Sequence, residues 1–256
     1  MTLRTAPEVS PHALAVARSL VPRLAAQGAE AVVLTGSHAR GTAHRHSDVD
    51  VVPLGAGPSR TLMRRGDLLV AVSWRTPAHI RRRLTDPGEV GTAVPTAREA
   101  VILHDPRGVA ASIQREAVDW TWDAVEERCD GWVAEETARL AEEVHKLVAA
   151  LDSGRPYPAA MQRSILALAV GPVLAVHRRL LYGREASLFD LLAELVGPRW
   201  EDAQARSLGL RAATFEDGCL ASLDLYAQLA AEVEHLFDAR QRRVVAHALR
   251  LAETAP

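Results

Sequence analysis

Cysteine is rare in this chain of 256 residues, and lysine is scarce. The two cysteines, Cys129 and Cys219, lie far apart in the sequence and fit no zinc-binding pattern. We therefore expect two reduced, buried thiols in a cytoplasmic protein. The shortage of lysine accompanies an abundance of alanine and arginine, which reflects genome composition rather than mechanism.

An overall excess of positive charge is also missing, because the formal net charge is −2. No global field would attract a nucleic-acid backbone, although Arg81, Arg82 and Arg83 form one local basic triplet. The sequence shows neither a signal peptide nor an apolar run of transmembrane length. We therefore expect a cytoplasmic protein with neither a nucleic acid nor a membrane as its partner.

The most informative segment lies near the start of the chain. An apolar run leads into Gly36-Ser37, and Asp48 and Asp50 follow after an interval of ten residues. Side chains alternate across a strand, so Asp48 and Asp50 point to the same face. Two carboxylates that close repel each other unless a cation lies between them, and hard oxygen ligands favour Mg²⁺. Because a Gly-Ser turn at the start of a helix suits a phosphate, this segment predicts a metal–nucleotide site.

Two motifs in this segment carry a resemblance to a known family. Gly36-Ser37-His38-Ala39-Arg40-Gly41, followed by Ser47-Asp48-Val49-Asp50-Val51, resembles the nucleotidyltransferase superfamily of the DNA polymerase beta type. The motifs are most similar to the branch of kanamycin nucleotidyltransferase and other small-molecule adenylyltransferases. The close match covers residues 31–54 only.

The resemblance implies an enzyme that uses Mg²⁺ (or Mn²⁺). Such an enzyme moves a nucleoside monophosphate from a nucleoside triphosphate, with ATP as the expected donor, to a hydroxyl group of a small-molecule acceptor. An aminoglycoside-like molecule is among the expected acceptors. The oligomeric state is left open, a dimer included.

The resemblance also implies roles for individual residues in the motifs. Asp48 and Asp50 are the expected metal ligands and catalytic carboxylates. Gly36 and Ser37 are expected to contact the triphosphate. Two interpretations are open for Arg40, which either binds phosphate or forms an internal salt bridge that holds the turn. Ser47 is expected to cap or orient the Asp48 carboxylate.

A third metal-binding carboxylate is expected on a following strand, and here the sequence departs from the family pattern. The predicted strand at 67–74 carries Asp67 at its start, on the same face as Ala71 and Ser73. Four residues of strand span about 13 Å, so Asp67 and Ala71 are not interchangeable positions. Either Asp67 is the third metal ligand, or Ala71 takes that place and the carboxylate is missing.

Acidic residues on a predicted helix at 132–151 offer a general base. In the kanamycin-type enzymes a glutamate of the helical domain can take this role, which implies Glu142 or Glu143 here. Lys146 lies one turn further along and is expected to reach the triphosphate. The alternative is a solvated helix face with ordinary ion pairs. These glutamates, together with Glu126, Glu127 and Asp130, would suit a cationic acceptor.

Three histidines, His38, His44 and His46, lie beside the two aspartates and raise the alternative of a zinc site. The neighbouring Asp48-Val49-Asp50 and the phosphate-type turn favour Mg²⁺ instead.

The distribution of patterns along the chain predicts an α+β fold in two parts. Residues 1–108 are expected to form a mixed sheet with helices of the nucleotidyltransferase type, and residues 109–256 an all-α helical bundle. Within the first part the predicted strands are 29–34, 48–54, 67–74 and 101–103. In the second part the predicted helices include 132–151, 187–196, 199–208, 214–237 and 239–251, and a helix at 158–181 that should kink or break at Gly171-Pro172.

Two other functions compete with small-molecule transfer. The uncertain third carboxylate favours a catalytically weak or inactive nucleotide-binding protein whose helical domain binds a partner. Toxin-like members of the superfamily suggest an enzyme that modifies a protein side chain or a tRNA end.

Overall fold

The computed structural model describes residues 10–211 and 213–255. The first nine residues of the predicted N-terminal domain, and residues 212 and 256 of the predicted C-terminal domain, lie outside the described residues. The chain divides into two compact units between Thr121 and Trp122. The domain boundary at residue 108 stays a prediction, and the helix that follows it, Val109–Val118, lies in the first unit.

The first unit is built on a mixed sheet with the strand order β3-β4-β2-β1-β5. β2 and β4 are parallel, and the other neighbouring strands are antiparallel. This confirms the predicted sheet-and-helix class. The elements of the unit are α1 (Pro11–Ala26), β1 (Ala31–Thr35), α2 (Gly36–Ala39), β2 (Val49–Leu54), β3 (Thr61–Arg65), β4 (Leu68–Val72), α3 (Pro77–Arg83), α4 (Pro87–Arg98), β5 (Val101–His104) and α5 (Val109–Val118).

Helix α1 covers one face of this sheet. The Ser10 hydroxyl accepts a hydrogen bond from the Ala13 amide and caps the helix, and Pro11 occupies its first turn. Leu20 and Leu24 are buried against a core cluster formed by one face of the three central strands. Because β2 alternates, Val49 and Val51 join this core while Asp50 and Val52 face the other way.

Strand β3 was not predicted, because its residues show no apolar alternation and its side chains are mostly exposed. It pairs with β4 from Thr61 opposite Val72 to Arg65 opposite Leu68, so Gly66 and Asp67 form a two-residue hairpin turn. The prediction that Asp67 begins a strand was therefore wrong. Helix α4 was also missed, since Gly88, Gly91 and Pro95 interrupt its helical pattern.

The second unit is helical throughout its described residues, as expected. Its largest buried side chains include Trp200 and Tyr226, and the Tyr226 hydroxyl donates to the Thr137 carbonyl at 3.2 Å. Two short 3₁₀ turns, Trp122–Ala124 and Glu234–Leu236, accompany the helices. The helices are α6 (Glu126–Asp152), α7 (Pro156–His177), α8 (Glu185–Val196), α9 (Pro198–Ser207), α10 (Phe215–Glu232) and α11 (Ala239–Glu253).

Of the two predicted outcomes at Gly171-Pro172, the break is wrong, because α7 continues through both residues to His177, and the kink stays a prediction. Leu192 of α8 packs so closely on Gly171 that a Cβ atom there would lie 3.1 Å from its Cδ1. Burial of the neighbouring turns outweighs the loss of one helical hydrogen bond at Pro172. Contrary to the sequence-based expectation, α7 is long and apolar enough to cross a membrane, but 56% of its most apolar window is buried, as in a core helix.

Candidate active site

The register between β1 and β2 brings the two halves of the motif together. Thr35 ends β1 and lies opposite Asp50, so Gly36 starts α2 directly beside this carboxylate. Gly36 has a φ of +73°, which favours glycine, and a Cβ atom there would overlap the carboxylate of Asp50. The structure therefore requires glycine at this position for two independent reasons.

The Asp50 carboxyl has an unusual protonation equilibrium. Its pKa is raised to about 6, first by burial and then by the nearby charge of Asp48. Arg60 and, to a smaller extent, Arg40 oppose this increase. The nearby arginines therefore do not fully balance the negative charge of the Asp48 and Asp50 carboxylates. Carboxylates are hard oxygen donors, so the pair fits Mg²⁺ or Mn²⁺.

The other predicted phosphate-site residues have different surroundings. Among the described residues the Ser37 hydroxyl has no hydrogen-bond partner, while its carbonyl accepts from the Thr42 amide at 2.9 Å. Arg40 forms an ion pair with Glu99, with 3.7 Å between Nη1 and Oε2, as in the salt-bridge interpretation. The Ser47 hydroxyl accepts from the His44 amide at 3.0 Å and so stabilises the turn before Asp48.

The structure does not bring Asp67 to the two aspartates. In the parallel pairing of β2 and β4, Asp50 lies opposite Ala71, which is 1% exposed. Asp67 lies four residues earlier in the hairpin turn, about 13 Å along the strand direction. Its exposed carboxylate contacts His12 at 3.3 Å, and hydrogen bonds from its own backbone amide and from His12 lower its pKa. Ala71 thus takes the place beside Asp50 where a third carboxylate was sought.

No group of three or more His, Cys, Asp or Glu side chains is arranged to hold a metal within residues 10–211 and 213–255. The turn histidines do not form such a group. His44 Nδ1 accepts from the His46 amide, and His46 Nε2 accepts from Arg45 Nε. His38 is buried, and neither of its ring nitrogens has a hydrogen-bond partner in the described structure.

Arg60 is a residue of the candidate site that the sequence analysis missed. It lies in the loop between β2 and β3, and its charge acts on Asp50 more strongly than that of Arg40. The loop passes so close to the core that a Cβ atom at Gly57 would overlap the ring of Trp74. A lone arginine in a loop has no sequence signature, but the Gly-rich segment before it marks a close backbone approach.

Replacing Arg60 by glutamine is expected to raise the pKa of Asp50 above its value of about 6, because the largest opposing positive charge is removed. Titration of the Asp50 carboxyl carbon by NMR would measure the change. Arg64→Gln in exposed β3 is the matched control and should leave this pKa unchanged. An equal pKa in the Arg60 variant and the wild type would contradict the assignment of Arg60 to the site.

The predicted base and lysine lie together on α6 in the second unit. Lys146 Nζ is 2.9 Å from Glu142 Oε1 and 3.2 Å from Glu143 Oε1. The Glu142 side chain is 68% exposed, which agrees with the interpretation of a solvated ion pair. The Glu143 side chain does not agree with that interpretation, because it is 13% exposed and its buried Oε2 has no hydrogen-bond partner in the described structure. The catalytic and phosphate-binding roles of these residues stay predictions.

Comparison with known proteins supports the family resemblance in part. Residues 18–84 match the family model of the nucleotidyltransferase domain, which includes both motifs. No curated protein sequence matches the chain. A nucleotidyltransferase-like protein from Exiguobacterium sibiricum 255-15 has a similar structure, with a TM-score of 0.51 and 13% sequence identity. The match covers 93% of this chain and 79% of the other.

Neither match is specific to the kanamycin nucleotidyltransferase branch, so that finer assignment stays a prediction. Residues 18–84 match a nucleotidyltransferase domain in sequence, and the chain has a nucleotidyltransferase-like fold followed by a helical region.

Proposed function

We propose that this protein is a nucleotidyltransferase that uses Mg²⁺ or Mn²⁺. It moves a nucleoside monophosphate from a nucleoside triphosphate, with ATP as donor, to a hydroxyl group of a small-molecule acceptor. One observation carries this proposal: the Gly36-Ser37 turn lies directly against the Asp50 carboxylate, with no room for a side chain at position 36. A phosphate-type turn and a carboxylate pair are thereby combined in one site.

Asp48 and Asp50 are the residues that would hold the metal. A divalent ion held there would supply positive charge to the triphosphate and would help to orient it for in-line attack. Asp50 must lose its proton to bind a cation, and with a pKa of about 6 it is largely ionised at neutral pH. The Ser37 hydroxyl, for which the described part of the chain offers no hydrogen-bond partner, and the first amides of α2 are available to donate to phosphate oxygens. Arg60 adds positive charge beside them.

Two features bear on the acceptor. The net charge of −2 favours a small molecule over a nucleic acid. The acidic cluster that would suit an aminoglycoside-like acceptor is already partly occupied, because Arg179 forms ion pairs with Glu126 and Asp130. A cationic acceptor therefore gains no support from this cluster. Within the proposal, Glu142 and Glu143 are both candidates for the general base, and Glu143 differs in having a buried Oε2 that has no hydrogen-bond partner in the described structure. The cytoplasmic location and the oligomeric state stay predictions.

A second function is favoured by one specific observation. Ala71, not a carboxylate, lies opposite Asp50 in the sheet. Loss of the third carboxylate would weaken the hold on a second metal ion and leave a protein that binds a nucleotide with little or no transfer.

Calorimetry with non-hydrolysable ATP and GTP analogues, with Mg²⁺ and with EDTA, tests the nucleotide site. We expect binding by the wild type only with Mg²⁺, and a loss of at least about tenfold in Asp48→Asn/Asp50→Asn, because two charged metal ligands are removed. Asp67→Asn is the control and should bind as the wild type does, since Asp67 lies away from the site. Equal binding by the double variant, or no binding of either analogue, would overturn the proposal.

Pyrophosphate release from ATP in the presence of candidate acceptors then separates the two functions. Release that requires both the metal and an acceptor supports transfer. Metal-dependent binding without release from any acceptor supports the nucleotide-binding alternative.

A further inference from the structure

The first unit contains a cavity of about 190 Å³ on the sheet face that carries Asp50. Helices α3, α4 and α5 cover this face and complete the cavity walls. The cavity reaches Thr35 and Val52. Thr35 pairs with Asp50 across the strands, and Val52 is the next residue of β2 on the same face. The cavity therefore begins next to the candidate metal-binding carboxylate.

The cavity is open to solvent, as the accessibility of the sheet shows. On the face under α1, Val49, Val51, Val70 and Val72 are at most 2% exposed. On the cavity face, Val33, Leu54 and Ala71 are buried too, but Thr35, Val52 and Ser73, which directly follows β4, are only half-buried although helices lie over them. Central strands covered on both faces are normally buried on both, so this face keeps a route for a ligand.

The cavity wall is mostly apolar, with a few hydrogen-bonding groups. The hydroxyl groups of Thr35, Ser73 and Thr96 line the cavity and have no hydrogen-bond partner among the described residues. They are free to bind the polar edge of a ligand. The apolar part of the wall includes Val52 of β2, Ile80 of α3, Ala97 of α4 and Ile113 of α5.

Two arginines also line the cavity, and they differ in their charge balance. Arg83 is neutralised by an ion pair with Glu89. Arg75 donates to the carbonyls of Ser59 and Trp74, and no carboxylate pairs with it in the described structure. An unneutralised guanidinium disfavours a cationic ligand such as a polyamine sugar and attracts the electron-rich face of an aromatic ring.

We propose that this cavity binds an uncharged aromatic heterocycle that carries hydrogen-bonding groups on its edge. An apolar cavity of about 150 Å³ accepts benzene, so the volume here suits a ring of one or two fused cycles. Such a ring has two sources, the base of the nucleoside triphosphate and a ring of the acceptor. Only the choice between these sources rests on the proposed function, because binding of the ring itself requires neither metal nor phosphate.

Calorimetry with indole and the four common ribonucleosides, in EDTA, tests the cavity on the full chain. We expect the wild type to bind at least one of these neutral rings, and Ala97→Leu, which fills the cavity, to bind it at least tenfold more weakly. Ala111→Leu, on α5 but not in the cavity wall, is the matched control and should bind as the wild type does. Thr96→Val keeps the size of the side chain and should weaken binding severalfold. It serves as the second variant where Ala97→Leu fails to fold.

Two further ligands identify the source of the ring. If the base occupies the cavity, Ala97→Leu weakens Mg²⁺-dependent binding of an ATP analogue but not of inorganic tripolyphosphate. If the acceptor occupies it, the variant weakens indole binding and leaves the ATP analogue unchanged. Absence of neutral-ring binding by the wild type, or equal binding by Ala97→Leu, Thr96→Val and Ala111→Leu, would overturn the proposal. Loss of tripolyphosphate binding in Asp48→Asn/Asp50→Asn reports on the phosphate site separately.

Discussion

Asp50→Asn is expected to lower nucleotidyl transfer by at least about 100-fold while making the protein more stable at neutral pH. Activity falls because the amide is a poorer ligand for a hard cation and leaves Asp48 as the only carboxylate of the pair. Stability rises because the ionised Asp50 carboxylate is costly in its place beside Asp48. The pKa of Asp50 is about 6 in the folded protein, whereas an exposed aspartate has a pKa of 3.8.

The sign of the stability change follows from the raised pKa. A raised pKa means that the folded protein holds the proton more tightly than the unfolded chain does. The associated stabilisation is complete below pH 4 and is lost as the pH rises through 6. A shift of this size corresponds to roughly 3 kcal/mol, and partial solvent exposure reduces it to on the order of 1–2 kcal/mol. Asparagine avoids the loss because it does not ionise.

Urea unfolding of the wild type and Asp50→Asn at pH 4 and pH 7.5 measures this effect. We expect nearly equal free energies of unfolding at pH 4 and a more stable variant at pH 7.5. Asp67→Asn is the control, because Asp67 has a lowered pKa and should give no gain at either pH. A variant that is less stable than the wild type at pH 7.5 would show that the carboxylate is not destabilising in its place.

Gly36→Ala is expected to abolish metal-dependent triphosphate binding and to destabilise the first unit by about 2–4 kcal/mol. The added Cβ atom overlaps the Asp50 carboxylate, and alanine is strained at a φ of +73°. Either the turn or the carboxylate must move, and both belong to the site. Calorimetry with an ATP analogue and urea unfolding measure the two losses.

Gly66→Ala separates the two causes. Gly66 has a φ of +62°, but a Cβ atom there would meet nothing within 4 Å. This variant should therefore show the backbone strain alone and keep nucleotide binding. In the double variant Gly36→Ala/Asp50→Ala the overlap disappears, so the double variant should be more stable than the sum of the two single changes in unfolding free energy predicts. Simple additivity would show that the turn and the carboxylate are not in contact.

The half of the candidate site that depends on short-range pattern could be predicted from the sequence. Gly36-Ser37 and Asp48-Val49-Asp50 follow strand and turn signals that are local, and the structure places the turn beside Asp50. The residue at the place of the third carboxylate is decided by the register between β2 and β4. The sequence of an apolar strand without charged residues does not reveal that register. Asp67 was considered for this role because β3 went unseen, and without β3 the hairpin turn that contains Asp67 looks like the start of a strand.

Long-range packing accounts for the other differences. Arg60 acts on Asp50 from a loop that no motif marks. The Gly171-Pro172 pair is typical of a helix break, but Leu192 packs on Gly171 and α7 continues through both residues. The orphaned Oε2 of Glu143 cannot be read from an acidic helical run, because exposure along such a run depends on which neighbours cover it.

The strand order of the sheet also decides how the chain acquires its native contacts. β1 lies between β2, which follows it closely in sequence, and β5, which is distant in sequence. The pairing of Val33 with Ile102 therefore closes a long loop of the chain. Closing that loop costs entropy before any contact compensates for it. We therefore expect β5 to pair with β1 late in the folding of the first unit, after β1 and β2 have paired beside the Gly36-Ser37 turn.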